Sequence, residues 1–85
     1  MYYPNSIEKF REIIKKDYPD AESKDSMDDI PSYLLWMLDE IEVMDDSKKA
    51  GRWLGYVIGR AEALGLMENE ESRNIVREDV KNGFD

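Results

Sequence analysis

Eleven of the chain's twenty acidic side chains fall between Asp17 and Asp46, against a single lysine in that stretch. Carboxylates at this density could do three kinds of chemistry: pass protons, hold a metal ion, or read positive charge on a partner. Proton transfer is poorly served. The sequence has no histidine and no cysteine, which removes the usual base near neutral pH, thiolate nucleophiles and disulfides. No serine or lysine sits in a recognisable activating context, so no catalytic residue is expected and an enzyme is the least favoured class. Metal binding is equally weak. Asp45-Asp46-Ser47 lacks the alternating ligands and sixth-position glycine of a calcium loop, and reads as a helix cap; no metal and no cofactor are expected. Charge reading remains. Asp25, Asp28, Asp29, Asp39, Glu40, Glu42, Asp45 and Asp46 would form an acidic surface suited to the Lys/Arg face of another protein. The overall charge of −8 argues against direct binding to DNA or RNA, which needs clustered cations.

An acidic surface needs an apolar anchor to hold a partner for long, and the second predicted helix offers one. With Leu34 set at zero and about 100° added per residue, Leu34, Met37, Leu38, Ile41 and Met44 share the core-facing arc. Trp36 and Val43 fall on the opposite side, flanked by Asp39 and Glu40. Either the first helix packs over Trp36, since tryptophan is mostly buried on average, or Trp36 and Val43 form an exposed anchor ringed by carboxylates.

The third predicted helix carries Gly51, Gly55 and Gly59 at spacing of four, each costing roughly 1 kcal/mol relative to alanine in a helix interior. A stripe of this kind lets another helix or a flat ring approach the backbone closely. The commonest reason is packing within the chain, here under Trp36 or Tyr33; homodimerisation through the glycine face is the next. A phosphate cradle is disfavoured, because donors in a helix interior are already used. Arg52, Tyr56 and Arg60 form a ridge on the other flank, expected to pair with the acidic second helix or the connector.

These side chains need positioning elements. The periodicity predicts an all-α fold, a small bundle of three to four helices around a central antiparallel hairpin, in a single domain spanning 1–85. Helices are expected at about 6–17, 31–45, 47–64 and 70–82. Asn5 with Glu8 reads as a capping box for the first helix, whose apolar stripe is Ile7, Phe10, Ile13 and Ile14. An acidic connector, 18–30, follows Asp17; at this length it is expected to lie along the surface or to have a task. Asp29-Ile30-Pro31 opens the second helix, and the tight Asp45-Asp46-Ser47 link forces a hairpin. Gly65 is the residue just past the third helix, with Leu66 and Met67 tucking into the core. Asn69 is expected to cap the fourth helix, whose apolar face is only Ile75, Val76 and Val80. The opening MYYPNSIEKF lacks a signal-peptide pattern. The longest charge-free apolar stretches fall far short of the ~20 residues that span a bilayer, so a soluble, cytoplasmic protein with no membrane contact is expected.

Taken together, the segments LLWMLDEIEVMDD, KKAGRWLGYVIG, ALGL and ESRNIVR, between Leu34 and Arg77, resemble the helical-hairpin core of small orphan proteins encoded by bacteriophages and prophages. The resemblance covers about half the chain and has no catalytic residues to transfer. It implies a phage accessory protein acting in a bacterial host cell, similar as a class to anti-CRISPR proteins and other inhibitors of host defence. The implied partner is a host protein with a basic nucleic-acid-binding surface, such as a CRISPR effector subunit, with the acidic face acting as a nucleic-acid mimic. The departure from that pattern is the basic third helix, which interrupts any continuous negative face. The alternative is a structural or assembly protein working as a homo-oligomer through the glycine stripe.

Overall fold

Residues 1–83 are described by the computed structural model, and they form four helices: α1 (Pro4–Asp17), α2 (Ile30–Glu42), α3 (Ser47–Ala63) and α4 (Asn69–Asn82). Phe84 and Asp85 lie outside the described residues. The fold is an all-α bundle, as the periodicity predicts, with no strand among the described residues.

The caps explain the boundaries. In α2, the Asp29 carboxylate accepts the Ser32 N–H at 3.4 Å and the Ser32 hydroxyl at 2.8 Å, with a proline in the first turn. In α3, Asp46 Oδ1 accepts the N–H groups of Lys48 and Lys49, both at 3.1 Å, so Asp45-Asp46-Ser47 does form a cap. Helix α2 stops at Glu42, short of the expected 45, because Val43 and Met44 donate back to the carbonyls of Glu40 and Ile41 in a tightened last turn. Helix α3 closes with Gly65 in the left-handed region at φ 77. There the Gly65 N–H reaches Glu62 O and the Leu66 N–H reaches Ala61 O, each at 3.0 Å, the paired bonds that satisfy the last carbonyls of a helix. Met67 then turns inward and is buried.

Two expected caps do not form. Helix α1 starts at Pro4, with Tyr3 before it in the left-handed region and no side-chain cap from its own sequence. Asn5 lies inside the helix, and the capping box with Glu8 is replaced by a carboxylate from the far end of the chain. Asp79 Oδ1 accepts the Asn5 N–H at 2.8 Å, and Asp79 Oδ2 accepts the Ser6 N–H at 2.7 Å and the Ser6 hydroxyl at 2.6 Å. The Asn5 side-chain amide donates to the Ile75 carbonyl at 2.9 Å. In α4, Asn69 is likewise the first helical residue and not the cap, and no side chain caps that terminus.

The main packed pairs are α3 with α2, α2 with α1 and α1 with α4, while Glu62 of α3 also meets Ser72 of α4, in a body of 33 × 26 × 17 Å. Its core is Ile7, Phe10 and Ile14 from α1, Leu34, Leu38 and Ile41 from α2, and Ala50, Leu54, Val57 and Ala61 from α3. Helix α4 docks differently: its buried residues are Ser72 and Asp79, while Val80 is 54% exposed. Its apolar contribution is part-buried, from Ile75 and Val76 against the core, and its fully buried contacts are polar. The acidic connector is laid onto α2. Ala21 is buried, the Glu22 N–H donates to the Ser32 hydroxyl at 3.1 Å, and the Lys24 N–H donates to the Ser32 carbonyl at 3.2 Å. From α1, the Lys15 ammonium donates to the carbonyls of Pro19 and Ala21.

Candidate partner-binding face

Trp36 sits at neither of the two places its type and position allow. It is neither fully buried nor free-standing. It is part-buried on the outer side of α2, against Tyr33 of its own helix and Trp53 of α3. Ring centroids are 5.6 Å apart for Tyr33–Trp36 at 23°, and 5.8 Å apart for Trp36–Trp53 at 41°. Tyr56 meets the Tyr33 edge at 6.4 Å and 86°. Offset and edge-on geometries such as these are the favoured ones for aromatic pairs. The result is an aromatic strip across the α2/α3 hairpin, with all four rings part-buried against the core.

This strip has charge of opposite sign on its two banks. On α3, the Lys49 ammonium lies 5.4 Å from the Trp53 ring centre and the Arg60 guanidinium 5.7 Å from that of Tyr56, both within cation–π range. On α2 the bank is Asp39 and Glu40, with Val43 beyond them 78% exposed. Arg52 and Arg60 do not pair with the acidic second helix as expected: among the described residues neither has a carboxylate within 4.0 Å. The middle of that ridge, Tyr56, meets α2 through Tyr33, and Arg60 lies over the Tyr56 ring.

The cation that does meet α2 comes from α1. Arg11 Nη2 bonds Asp39 Oδ1 at 2.5 Å and Glu42 Oε1 at 2.7 Å. The hydrogen bond that Arg11 donates to Glu42 raises its pKa most; burial opposes this, and the bond to Asp39 adds to the rise. A raised value on a base means the stabilisation is complete below the unfolded value and is lost only as pH climbs through the folded one, in strong alkali. Arg11→Met is therefore expected to cost about 1 kcal/mol by urea titration, by the same amount from about pH 7 to about pH 10. The acidic residues expected to act together are thus divided. Asp39 and Glu42 hold Arg11, Asp29 and Asp46 are spent as caps, and Asp28 and Asp45 lie exposed at opposite ends of α2, about 20 Å of helix apart. Glu40 is the carboxylate beside Trp36 with no ion pair among the described residues.

The glycines also differ from expectation. A Cβ on Gly51 would meet the Tyr3 hydroxyl at 3.3 Å, a close approach within the chain. At Gly55 and Gly59 it would meet nothing within 4 Å, because α3 presents these positions away from α2 and not beneath Tyr33 or Trp36. Gly55→Ala and Gly59→Ala are expected to stabilise the protein by about 0.5–1 kcal/mol each, raising the melting temperature by a few degrees per substitution in circular dichroism.

What fold and face define is a class: a small four-helix bundle whose distinctive surface is an aromatic strip between an acidic and a basic bank. Protein-family models, curated proteins and solved structures were each compared with the chain, and nothing matches. No helix is long and apolar enough to cross a membrane among the described residues. Tyr33, Trp53 and Tyr56 are the site residues the wheel of a single helix misses. Their signal is the i, i+3 aromatic pair on each arm of the hairpin, Tyr33/Trp36 and Trp53/Tyr56.

Proposed function

We propose that this chain is a small protein-binding inhibitor that docks the outer side of α2 onto a basic, nucleic-acid-binding surface of a host protein, as an anti-CRISPR or other anti-defence inhibitor would. The supporting observation is the placement of Trp36: part-exposed, braced by Tyr33 and Trp53, beside Glu40 and near the exposed Val43. Tryptophan and tyrosine in this setting are the residue types that dominate binding energy, and a braced ring loses little freedom on docking. Carboxylates around it favour encounter with Lys/Arg surfaces and penalise direct binding to nucleic acid. The test is capture of a purified CRISPR effector ribonucleoprotein on the immobilised protein, at low and then high salt, with DNA binding by the effector as readout. Inhibition weakened by salt and lost in Glu40→Lys supports the reading; unchanged inhibition in that variant overturns the acidic-face mechanism.

A second reading, homo-oligomerisation through α3, is favoured by the bare backbone at Gly55 and Gly59. The same helix carries Lys48, Lys49, Arg52 and Arg60 against a single acid, Glu62, so like charges would face each other across a symmetric contact. Light scattering separates the two: a monomer at high concentration excludes the oligomer, and a dimer dissociated by Gly55→Leu supports it.

A further inference from the structure

A groove of about 450 Å³ runs between α3 and α4, lined by Ile58, Val76 and Val80 along its floor and by Arg73 and Arg77 on its rim, with Ser72 and Asn69 at the end. Its charge is unlike the rest of the molecule. In a chain with 20 acidic and 12 basic side chains, no carboxylate lines it among the described residues. Glu62, the acidic residue of α3 at this end, accepts the Ser72 hydroxyl at 2.6 Å and the Asn69 amide at 3.4 Å. Arg77 reaches only the Asn74 side chain, at 3.2 Å, and neither arginine has a carboxylate within 4.0 Å among the described residues.

We propose that this groove is a second docking site, which takes an acidic amphipathic helix of another protein. The shape selects a protein segment. The groove is an open trough and not an enclosed cavity, unlike the sites that surround small ligands, and a helix laid along it covers the whole line. The spacing selects a helix. Val76 and Val80 are one turn apart, and so are Arg73 and Arg77, so an apolar line and a positive line run side by side along α4. An incoming helix with apolar residues at i and i+4 and carboxylates on the adjoining line would meet both at once. Charge complementarity selects its sign. The site is independent of the aromatic strip, so the protein would carry two surfaces of opposite preference: one for a basic partner and one for an acidic helix.

The experiment uses the full chain and a fluorescein-labelled synthetic amphipathic peptide, leucine on one face and glutamate on the other, read by anisotropy. A peptide with lysine in place of glutamate and a labelled DNA duplex serve as comparators. The acidic peptide is expected to bind about tenfold or more tighter than the lysine peptide, to weaken about tenfold in the Arg73→Glu/Arg77→Glu variant, and to be unaffected by Trp36→Ala. Far-UV circular dichroism checks that the variants stay helical; the Arg73→Gln/Arg77→Gln pair, expected to weaken binding less, serves if the reversal unfolds α4. No binding of the acidic peptide overturns the proposal, as does equal or tighter binding of the lysine peptide or the duplex. So does an oligomer in light scattering that the arginine variant dissociates, which makes a second copy the occupant.

Discussion

Asp79→Ala is expected to cost about 3 kcal/mol and to lower the melting temperature by roughly 15 °C, more than any substitution on the surface of α4. The carboxylate is 2% exposed and accepts three hydrogen bonds, from the N–H groups of Asn5 and Ser6 and the Ser6 hydroxyl. Removing it leaves buried donors at the start of α1 without partners, each costing about 1–3 kcal/mol, and withdraws a negative charge from the positive end of a helix. A domain of this size has a total stability of only about 4–13 kcal/mol, so the loss is a large fraction. The damage should be local as well as global. Helix α4 has few apolar contacts to fall back on, and its amides should exchange with solvent well before those of α2. Asp79→Asn keeps the shape and one acceptor but turns an amide N–H toward the backbone donors, so an intermediate loss is expected. Ser6→Ala should cost about 1 kcal/mol, and its effect should nearly vanish in the Asp79→Ala background because the two groups share one network. A melting temperature that stays within a few degrees of the parent in Asp79→Ala would show that α4 is held by other contacts.

The second large effect is on binding. Trp36→Ala is expected to weaken capture of the basic partner by about 2–4 kcal/mol, roughly 30- to 1,000-fold in Kd. It removes the centre of a strip in which Tyr33 and Trp53 lean on the same ring. The stability cost should be smaller, about 1–2 kcal/mol, because the ring is part-exposed and its neighbours keep their contacts with the core. Glu40→Lys is the cleaner electrostatic probe. Asp39→Lys would also break the bond to Arg11 and place two cations together, so its loss of binding would mix a surface effect with a loosened α1–α2 contact. Equal binding by parent and Trp36→Ala, both shown folded by circular dichroism, would remove the aromatic strip from the interface. Residual binding that still falls with salt would then point to the carboxylates alone.

Much of this protein was readable from local chemistry. Cap signals act within a single turn, which is why Asp29, Asp46 and Gly65 mark helix ends correctly from their neighbours alone. Apolar spacing of three and four residues acts within a helix, which is why Ile7, Phe10, Ile14, Leu34, Leu38 and Ile41 could be placed in the core. Reading failed where the partner of a group lies on another element. Asn5 has the type and spacing of a cap, yet it lies inside α1, and its own N–H and that of Ser6 are met by Asp79, 74 positions from Asn5. Arg52 and Arg60 have the charge to pair with α2, but among the described residues neither reaches a carboxylate, and Arg60 lies over the Tyr56 ring instead. The glycine stripe promised a close neighbour, and the chain supplies one only at Gly51.

By itself the sequence determined the class of fold, the hairpin, the acidic second helix and the absence of any imidazole or thiol chemistry, because these depend on composition and on contacts a few residues apart. Only the tertiary structure decided which groups remain available to a partner. It committed Asp39 and Glu42 to Arg11, spent Asp79 on the start of α1, joined two aromatic pairs into one strip around Trp36, and left Arg73 and Arg77 beside an apolar groove. Those outcomes follow from the angle and rotation at which helices pack, a property of pairs of faces that no single helix encodes.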